Sequence, residues 1–336
     1  MKVARKLRIS IWASIGLLAC ALTQNVHGET TDIDHVVKES FLNLKDDLSE
    51  AAVSDRILAI YFEQNGCSYC ELIHKVNFAD KAIVDLVKSK FDVIQLNSLG
   101  SREVRDFSGA VMTEKEYAYK LGIQFSPMMV FYAGNGAEIF RMKGYYKLAE
   151  FKAALSYLST GQYKTQSFKD YAAANIPQVQ AKSGLIDEKF LARSDDLKRL
   201  AKDARKNGKG VALLFTQKQC SSCVELHEEI FSDAAIVARL TEKYAVTRIN
   251  VIGQDEIRDL SGKKVQETKL ADTFGVRYTP TIIFLDQSGK EIIRYESYLK
   301  RQDFEGLLKF VATDAWRQTR SFQDWLRDEY YGAKKL

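Results

Sequence analysis

Residues 57–76, ILAIYFEQNGCSYCELIHKV, decide the fold of this chain. Their first part is a continuous apolar run, which is typical of a central strand that is covered on both faces. A short polar turn follows and leads into Cys67-Ser68-Tyr69-Cys70. The stretch therefore predicts a buried strand, a turn, and a helix that begins at two cysteines spaced by two residues.

The same pattern returns 153 residues later, in residues 210–229, GVALLFTQKQCSSCVELHEE. A shift of this length aligns 55–158 with 208–311 without a gap, and roughly a third of the positions are identical, as expected for an internal repeat. Farther along, residues 167–171 (SFKDY) recur as residues 321–325 (SFQDW). The chain is thus an internal duplication, and each copy has the size of one domain.

Both copies predict the same order of elements. An N-terminal helix is expected over about Val36–Ala52 and Leu191–Arg205, ahead of the buried strand. After the helix at the cysteines come a strand, a polar excursion, a short helix, a hairpin of two strands and a closing amphipathic helix. A βαβ half followed by ββα is the thioredoxin arrangement. The predicted fold class is therefore α/β, with two tandem thioredoxin-fold domains that each carry an extra N-terminal helix.

The domain boundaries follow from the repeat and from composition. We predict the first domain over residues 34–172 and the second over residues 189–331. Between them, residues 173–188 contain Pro177 and Gly184 and predict a linker.

Residues 1–28 predict an export signal. Basic residues precede an apolar run, Ile9–Leu22, and small residues then allow cleavage before Glu29. Leu17-Leu18-Ala19-Cys20 also resembles a bacterial lipobox, in which Cys20 becomes a lipidated first residue, and an uncleaved anchor is a third possibility. The run is too short to predict a spanning helix. We expect a periplasmic protein that touches the membrane only if it is lipidated at Cys20.

The overall charge gives no basis for nucleic-acid binding. The chain has 49 Lys and Arg against 44 Asp and Glu, and four of the basic residues fall within the first eight positions. The remainder is nearly neutral, without the positive surplus typical of nucleic-acid-binding proteins. No nucleic-acid partner is expected.

Four of the five cysteines form the pairs Cys67/Cys70 and Cys220/Cys223. In an exported protein, an arrangement of cysteines in Cys-x-x-Cys pairs predicts redox chemistry. At a helix N-terminus the first cysteine lies beside unpaired N–H groups and the positive end of the helix dipole, which favour its thiolate. We expect Cys67 and Cys220 to be nucleophiles, and Cys70 and Cys223 to resolve the mixed disulfides. Two redox-active disulfides need no further cofactor.

Other uses of a Cys-x-x-Cys pair fit less well. A structural disulfide that closes so short a loop removes little chain entropy. Zinc-binding pairs usually lie about 12–20 residues apart, and c-type haem needs a histidine where Glu71 and Val224 stand. His74 and His227 each follow the second cysteine by four residues. They keep a copper- or zinc-delivery module open as an alternative function, although histidines packed on a helix would explain them as well.

Two of the three prolines, Pro127 and Pro280, each follow the first cysteine of their copy by 60 residues. A cis X-Pro bond at a strand start would turn the backbone so that Ser126 and Thr279 offer N–H and C=O groups to a substrate peptide. An ordinary edge-strand proline is the alternative. We predict these four residues as the substrate-binding residues beside the sulfur atoms.

The first copy resembles the periplasmic SoxW-type thioredoxins associated with bacterial sulfur oxidation. The resemblance rests on residues 61–70 (YFEQNGCSYC), 74–78 (HKVNF), 109–114 (GAVMTE), 125–127 (FSP) and 141–145 (RMKGY). It implies a thiol–disulfide oxidoreductase that reduces disulfides of exported proteins or sulfur-carrying cysteines. A membrane thiol-reductant transporter would keep it reduced. Disulfide isomerisation, with both domains forming a cleft, is an alternative.

Three features depart from that family. Two domains are present where one is expected. The second site has Ser222 where the first has Tyr69, so we expect the redox potentials of the two sites to differ. The acidic residue that thioredoxins bury beneath the disulfide is replaced by Tyr61 and Leu214. Glu63 is a candidate proton acceptor in the first copy, with a solvated glutamate as the alternative.

Overall fold

The structure, a computed structural model, describes residues 33–176, 189–191, 193–218, 220–296, 299–318 and 321–331. The export signal predicted over residues 1–28, including Cys20, lies outside these ranges, and so does most of the predicted linker, from residue 177 to residue 188. Within the described ranges, no helix has both the length and the hydropathy needed to cross a bilayer.

The first copy contains six strands and six helices. Its strands are β1 (Ile57–Glu63), β2 (Phe91–Asn97), β3 (Glu103–Arg105), β4 (Val111–Thr113), β5 (Met128–Tyr132) and β6 (Glu138–Lys143). Its helices are α1 (Leu44–Val53), α2 (Ser68–Leu72), α3 (Lys81–Lys90), α4 (Glu114–Lys120), α5 (Leu148–Ser159) and α6 (Phe168–Asn175). A π-helical stretch, Ile73–Asn77, extends α2.

The described part of the second copy repeats this order. Its strands are β7 (Gly210–Thr216), β8 (Tyr244–Asn250), β9 (Glu256–Arg258), β10 (Lys264–Gln266), β11 (Thr281–Leu285) and β12 (Glu291–Glu296). Its helices are α7 (Leu197–Lys206), α8 (Ser221–Glu225), α9 (Ala234–Lys243), α10 (Glu267–Thr273), α11 (Arg301–Ala312) and α12 (Phe322–Trp325). The π-helical stretches Leu226–Phe231 and Leu326–Tyr331 extend α8 and α12.

Each copy builds a four-stranded sheet with the same topology. The strand order is β2-β1-β5-β6 in the first copy and β8-β7-β11-β12 in the second. The pairs β1–β2 and β7–β8 are parallel, and the other neighbours are antiparallel. The pairs β3–β4 and β9–β10 form separate small antiparallel sheets. The two tandem thioredoxin-fold domains expected from the sequence are confirmed.

The first helix of each copy is shorter than the sequence predicts. In the first copy the helix begins at Leu44 and not near Val36, because Leu42 has a φ of 58° and such a left-handed residue interrupts a right-handed helix. In the second copy the side chain of Asp196 accepts a hydrogen bond from the amide of Arg199 and caps α7 at its start. Both predicted helices were therefore wrong at their N-terminal ends.

The two copies pack against each other through buried apolar surface. One hydrophobic cluster runs from Phe131 in the first sheet to Tyr295 and Phe322 in the second copy. A separate cluster around Phe215 fills the other face of the second sheet. Because the first cluster is continuous, burial of apolar surface holds the copies together in the same way as it stabilises each fold.

Equivalent positions of the two copies meet at this junction. The Nζ of Lys143 lies 3.1 Å from Oε1 of the buried Glu296, which is its counterpart 153 residues later. Such a contact is expected near an approximate two-fold axis. In a symmetric pair of identical chains, a residue near the axis would meet its own copy, so two like charges would be in contact. The two copies of this chain differ at this position, and a lysine meets a glutamate. Gly144 has a φ of +87°, and a Cβ there would lie 3.0 Å from the Glu296 carbonyl oxygen, so the close approach suits glycine.

Candidate active site

The first cysteine pair lies at the start of α2, just after β1. Cys67 is the N-cap residue, and its Sγ accepts a hydrogen bond from the amide of Cys70 at 3.1 Å. The two residues form a disulfide, and both are buried, with 8% of Cys67 exposed. In the reduced form the same amide can stabilise a thiolate on Cys67. The geometry fits the nucleophile predicted at this position.

The second pair repeats this geometry at the start of α8. Cys220 is the N-cap residue, its Sγ accepts a hydrogen bond from the amide of Cys223 at 3.1 Å, and the two form a disulfide. The Sγ of Cys220 also lies 3.5 Å from the carbonyl oxygen of Thr279. The sulfur atoms of the second pair are thus next to the proline loop.

Both predicted proline loops contain a cis peptide bond, at Ser126-Pro127 and at Thr279-Pro280. Cys67 and Ser126 line one cavity of about 60 Å³. Cys220 and Thr279 line another of about 70 Å³. The prediction of cis prolines is confirmed, and each loop lies beside its own cysteine pair.

The last helix of the second copy covers the first redox site. Oε1 of Gln323 accepts a hydrogen bond from the amide of Ser126 at 3.2 Å, and the amide of Gln323 donates to the carbonyl oxygen of Gln124 at 3.1 Å. Lys115 and Tyr119 of α4 both contact the carboxylate of Asp324. A side chain of the same protein therefore occupies the N–H group that we expected a substrate peptide to use.

Tyr69, which lies between the two cysteines of the first site, is also held by the second copy. Its hydroxyl accepts a hydrogen bond from the amide of Lys300, whose ammonium lies 5.3 Å from the ring centroid. Nearby, Phe125 stacks on Tyr295 with 5.1 Å between ring centroids. Burial, with smaller contributions from Tyr295 and Asp303, raises the pKa of Tyr69 above its ordinary value, so the hydroxyl stays protonated.

The last helix of the first copy, α6, covers the second redox site in return. The Nζ of Lys169 lies 3.1 Å from Oγ1 of Thr268 and 3.1 Å from Oδ1 of Asp272, both on α10. Lys169 lines the cavity that contains Cys220. Lys169 and Gln323 hold the same position in the segments SFKDY and SFQDW. Each copy therefore places its last helix over the cysteine pair of the other copy.

These two segments are functional parts of the sites that no sequence motif predicts. Residues 167–171 and 321–325 recur although they follow the closing helix of each thioredoxin-fold domain. A repeated segment outside the elements of the fold is a signal that it has a function of its own. Which of the two sites each segment covers depends on tertiary packing.

A polar network lies against the redox helix of the first copy. Oε2 of Glu63 lies 2.8 Å from Nε2 of His74, and the hydroxyl of Tyr61 lies 3.3 Å from the same nitrogen. The side-chain amide of Gln95 donates to the other oxygen of Glu63. The Glu63 side chain is 17% exposed and has partners, so it is not simply a solvated glutamate. His74 follows Cys70 by four residues on the redox helix. The role of Glu63 as a proton acceptor stays a prediction.

The second copy has different groups at these positions. Leu214 and Thr216 replace the tyrosine and the glutamate in β7. His227 is buried and packs edge-on against Phe231, with 5.3 Å between ring centroids. Within the described residues, no cluster of three His, Cys, Asp or Glu side chains is placed to hold a metal ion.

A family model for a thioredoxin-like domain matches the chain twice, over residues 44–159 and 197–312. The two matches cover more than half of the chain, so the protein belongs to the thioredoxin-like family. They include both cysteine pairs and both cis prolines and exclude the segments SFKDY and SFQDW. The protein is a thioredoxin-like thiol–disulfide oxidoreductase with redox-active disulfides at Cys67–Cys70 and Cys220–Cys223.

Solved structures of thioredoxin-fold proteins are similar to parts of the chain. A thioredoxin-fold protein from Helicobacter pylori is 24% identical, with a TM-score of 0.35, and the match covers 42% of this chain and 88% of that protein. A thioredoxin from Thermus thermophilus is 22% identical, with a TM-score of 0.29 and coverage of 34% and 83%. The oxidised C-terminal domain of DsbD from Neisseria meningitidis is 15% identical, with a TM-score of 0.27 and coverage of 36% and 98%. No curated protein matches the chain.

Proposed function

We propose that this protein is a periplasmic reductase that acts on disulfides of exported proteins or on sulfur-carrying cysteines through both cysteine pairs. The observation that carries the proposal is the doubled set of a cysteine at a helix N-terminus, a second cysteine one turn later and a cis proline beside them. Such a set favours thiolate attack on a disulfide. The resemblance to SoxW-type thioredoxins supports the reducing direction, and the export signal expected over residues 1–28 supports the location.

In the proposed cycle the protein takes electrons from a membrane thiol-reductant transporter. The thiolate of Cys67 or Cys220 attacks a substrate disulfide and forms a mixed disulfide. Cys70 or Cys223 then attacks the protein sulfur of that bond and releases the reduced substrate. Exchange with the transporter returns the pair to the dithiol form. Membrane attachment is part of the proposal only for a form lipidated at Cys20.

The contacts over the two sites bear on the choice of substrate. A protein chain can use the Ser126 amide only after Gln323 has left it. Disulfide isomerisation needs an open surface for a misfolded chain, and the covered arrangement does not favour it. Metal delivery through the first pair would draw on His74, whose Nε2 lies 2.8 Å from a Glu63 oxygen. We therefore keep reduction as the proposed function.

The proposal is tested with the mature protein, with Cys67→Ser, with Cys220→Ser and with the double variant. We expect the wild type to accelerate the reduction of insulin and of bis(2-hydroxyethyl) disulfide by dithiothreitol, and the double variant to give the rate of dithiothreitol alone. A wild-type protein that accelerates neither reaction would contradict the proposed function. Mass spectrometry of the mature N-terminus, expected at Glu29 or at a lipidated Cys20, tests export.

A further inference from the structure

The helices over the two redox sites differ at one decisive position. Gln323 accepts a hydrogen bond from the amide of Ser126 and so closes the peptide position of the first site. At the second site the matching residue is Lys169, which reaches α10 instead. Among the residues that the structure describes, none accepts a hydrogen bond from the amide of Thr279. The second site therefore keeps an open polar position beside Cys220.

The two cavities also differ in charge. The charged side chains that line the cavity beside Cys220 are those of Lys169, Arg277 and Glu150. Among the described side chains, one charged group lines the cavity beside Cys67, that of Asp303. Within the described part of the chain, the second site thus presents two cations and one carboxylate, whereas the first presents one carboxylate.

Lys169 is able to bind a further anionic group. Its side chain is 9% exposed, and its ammonium contacts two oxygens, one on Thr268 and one on Asp272. An ammonium group has three N–H donors, so one donor is left for a ligand. A carboxylate that accepts this hydrogen bond would be bound in a poorly solvated place, where charge pairing is stronger than in bulk water.

The cover over the second site restricts the size of what can enter. A cavity of about 70 Å³ has room for a few water molecules, or for one short arm of a small molecule. A protein segment would have to displace α6, which contributes Lys169, Ala172 and Ala173 to the cavity wall. A small disulfide could reach Cys220 with the two copies still packed together.

We propose that the Cys220–Cys223 site binds small disulfides that carry a carboxylate, and that Lys169 selects them. This inference rests on the proposed thiol–disulfide activity and adds a substrate class that the second site can take while the two copies stay packed together. The carboxylate lies on Lys169, with Arg277 as the second cation at the cavity, and the disulfide bond of the substrate faces Cys220.

The two cysteines supply both electrons that the reduction of the small disulfide needs. The thiolate of Cys220 attacks one sulfur of the small disulfide, the S–S bond breaks, and the first small thiolate leaves. The thiolate of Cys223 then attacks the sulfur of Cys220 and releases the second small thiolate. Two electrons pass from the pair to the substrate, and solvent protonates the products. A dithiol reductant, the transporter of the proposed function, returns the pair to its reduced form.

The test uses the full mature chain with Cys67→Ser and Cys70→Ser, reduced and freed of reductant, so that only the second pair reacts. Its oxidation is followed by loss of free thiols with three probes: 3,3′-dithiodipropionate, which is anionic, bis(2-hydroxyethyl) disulfide, which is neutral, and cystamine, which is cationic. Each rate is divided by the rate of the same probe with dithiothreitol. We expect the normalised rate with dithiodipropionate to exceed that with cystamine by about tenfold, the effect of one favourable charge contact.

Matched variants assign this preference to Lys169. Lys169→Gln is expected to reduce it to about twofold or less, and Lys169→Arg to retain it. Lys147 pairs with Glu225 across the same junction and is not part of the cavity wall, so Lys147→Gln should retain the preference. In the chain with Cys220→Ser and Cys223→Ser, Gln323→Lys should shift the first site towards the anionic probe.

The outcomes separate this inference from the proposed function. Equal normalised rates for the three probes at the second site, or a preference that survives Lys169→Gln, would overturn the inference and leave the oxidoreductase activity standing. An equal preference at the unmodified first site would overturn it as well. A second pair that reduces none of the three probes would contradict the proposed function itself.

Discussion

The two redox sites share their backbone and differ in their surroundings. Each has a cysteine at a helix N-terminus and a cis proline, and Cys67 and Cys220 are almost equally buried, at 8% and 7% exposed. The first site has a network around Glu63 and a peptide position closed by Gln323. In the second copy Thr216 replaces Glu63, no described residue accepts a hydrogen bond from the Thr279 amide, and Lys169 lies at the cavity. After duplication the two sites have thus kept the backbone geometry around their sulfur atoms, while the side chains beside them have diverged.

The largest expected effect is that one cysteine pair loses its reactivity while the other keeps it. Cys67→Ser should abolish turnover at the first pair, by about a thousandfold or more, because the remaining Cys70 is more deeply buried and does not occupy the helix N-cap. The second pair should keep its rate. Single-turnover oxidation, followed by mass spectrometry of the peptides that contain each pair, checks this. Loss of reactivity at both pairs would show that they work in series and are not independent.

Glu63→Gln should slow the first site by about tenfold and leave the second unchanged, because we expect Glu63, paired with His74, to accept a proton there, whereas Thr216 stands at the matching position of the second copy. The pH dependence of the rate should change at the first pair alone. Thr216→Ser, at the matching position of β7, is the control. A rate and pH profile unaffected by Glu63→Gln would make the network a structural one.

Gln323→Ala should speed the reduction of a protein disulfide by the first site by about fivefold, because it removes a hydrogen bond that competes with the substrate for the Ser126 amide, an effect of about 1 kcal/mol. The rate is measured with insulin in the chain that carries Cys220→Ser and Cys223→Ser. Gln318→Ala, an exposed glutamine before the last helix, is the control. An unchanged rate would contradict this competition, because it would mean that the hydrogen bond does not limit access to the Ser126 amide.

The smallest expected effect is on the stability of the fold and its dependence on pH. Burial alone would raise the pKa of Asp324, but hydrogen bonds from Tyr119, Ser321 and Lys115 outweigh it and lower this pKa. A lowered pKa stabilises the folded form above the unfolded pKa of about 3.9, and this stabilisation is lost as the pH falls through the folded value. Asp324→Asn should therefore cost about 0.5–1 kcal/mol at pH 7 and little at pH 3.

Thermal or denaturant unfolding of the wild type and Asp324→Asn at both pH values measures this difference. Hydrogen exchange of residues 321–326 should report the same trend at the contact with α4. A difference in stability that is as large at pH 3 as at pH 7 would contradict the role given to the ionised carboxylate.

The parts of the site that the sequence predicts are those that depend on short segments. The cysteines at the helix start and the cis prolines were found because each signal lies within a few residues and occurs twice. Glu63 was found as a candidate, but its pairing with His74 depends on the register between β1 and the redox helix. The start of α1 was missed because helical spacing of apolar residues continues through Leu42, where the backbone turns.

The sequence by itself determined the duplication, the fold of each copy and the sulfur chemistry, because apolar runs, helix starts and X-Pro bonds act locally on the backbone. Only the tertiary structure decided that Gln323 meets Ser126 and that Lys169 lies beside Cys220. The segments SFKDY and SFQDW could have covered their own sites or none. Burial of the apolar surface between the two copies selects the crossed arrangement, and no local signal encodes it.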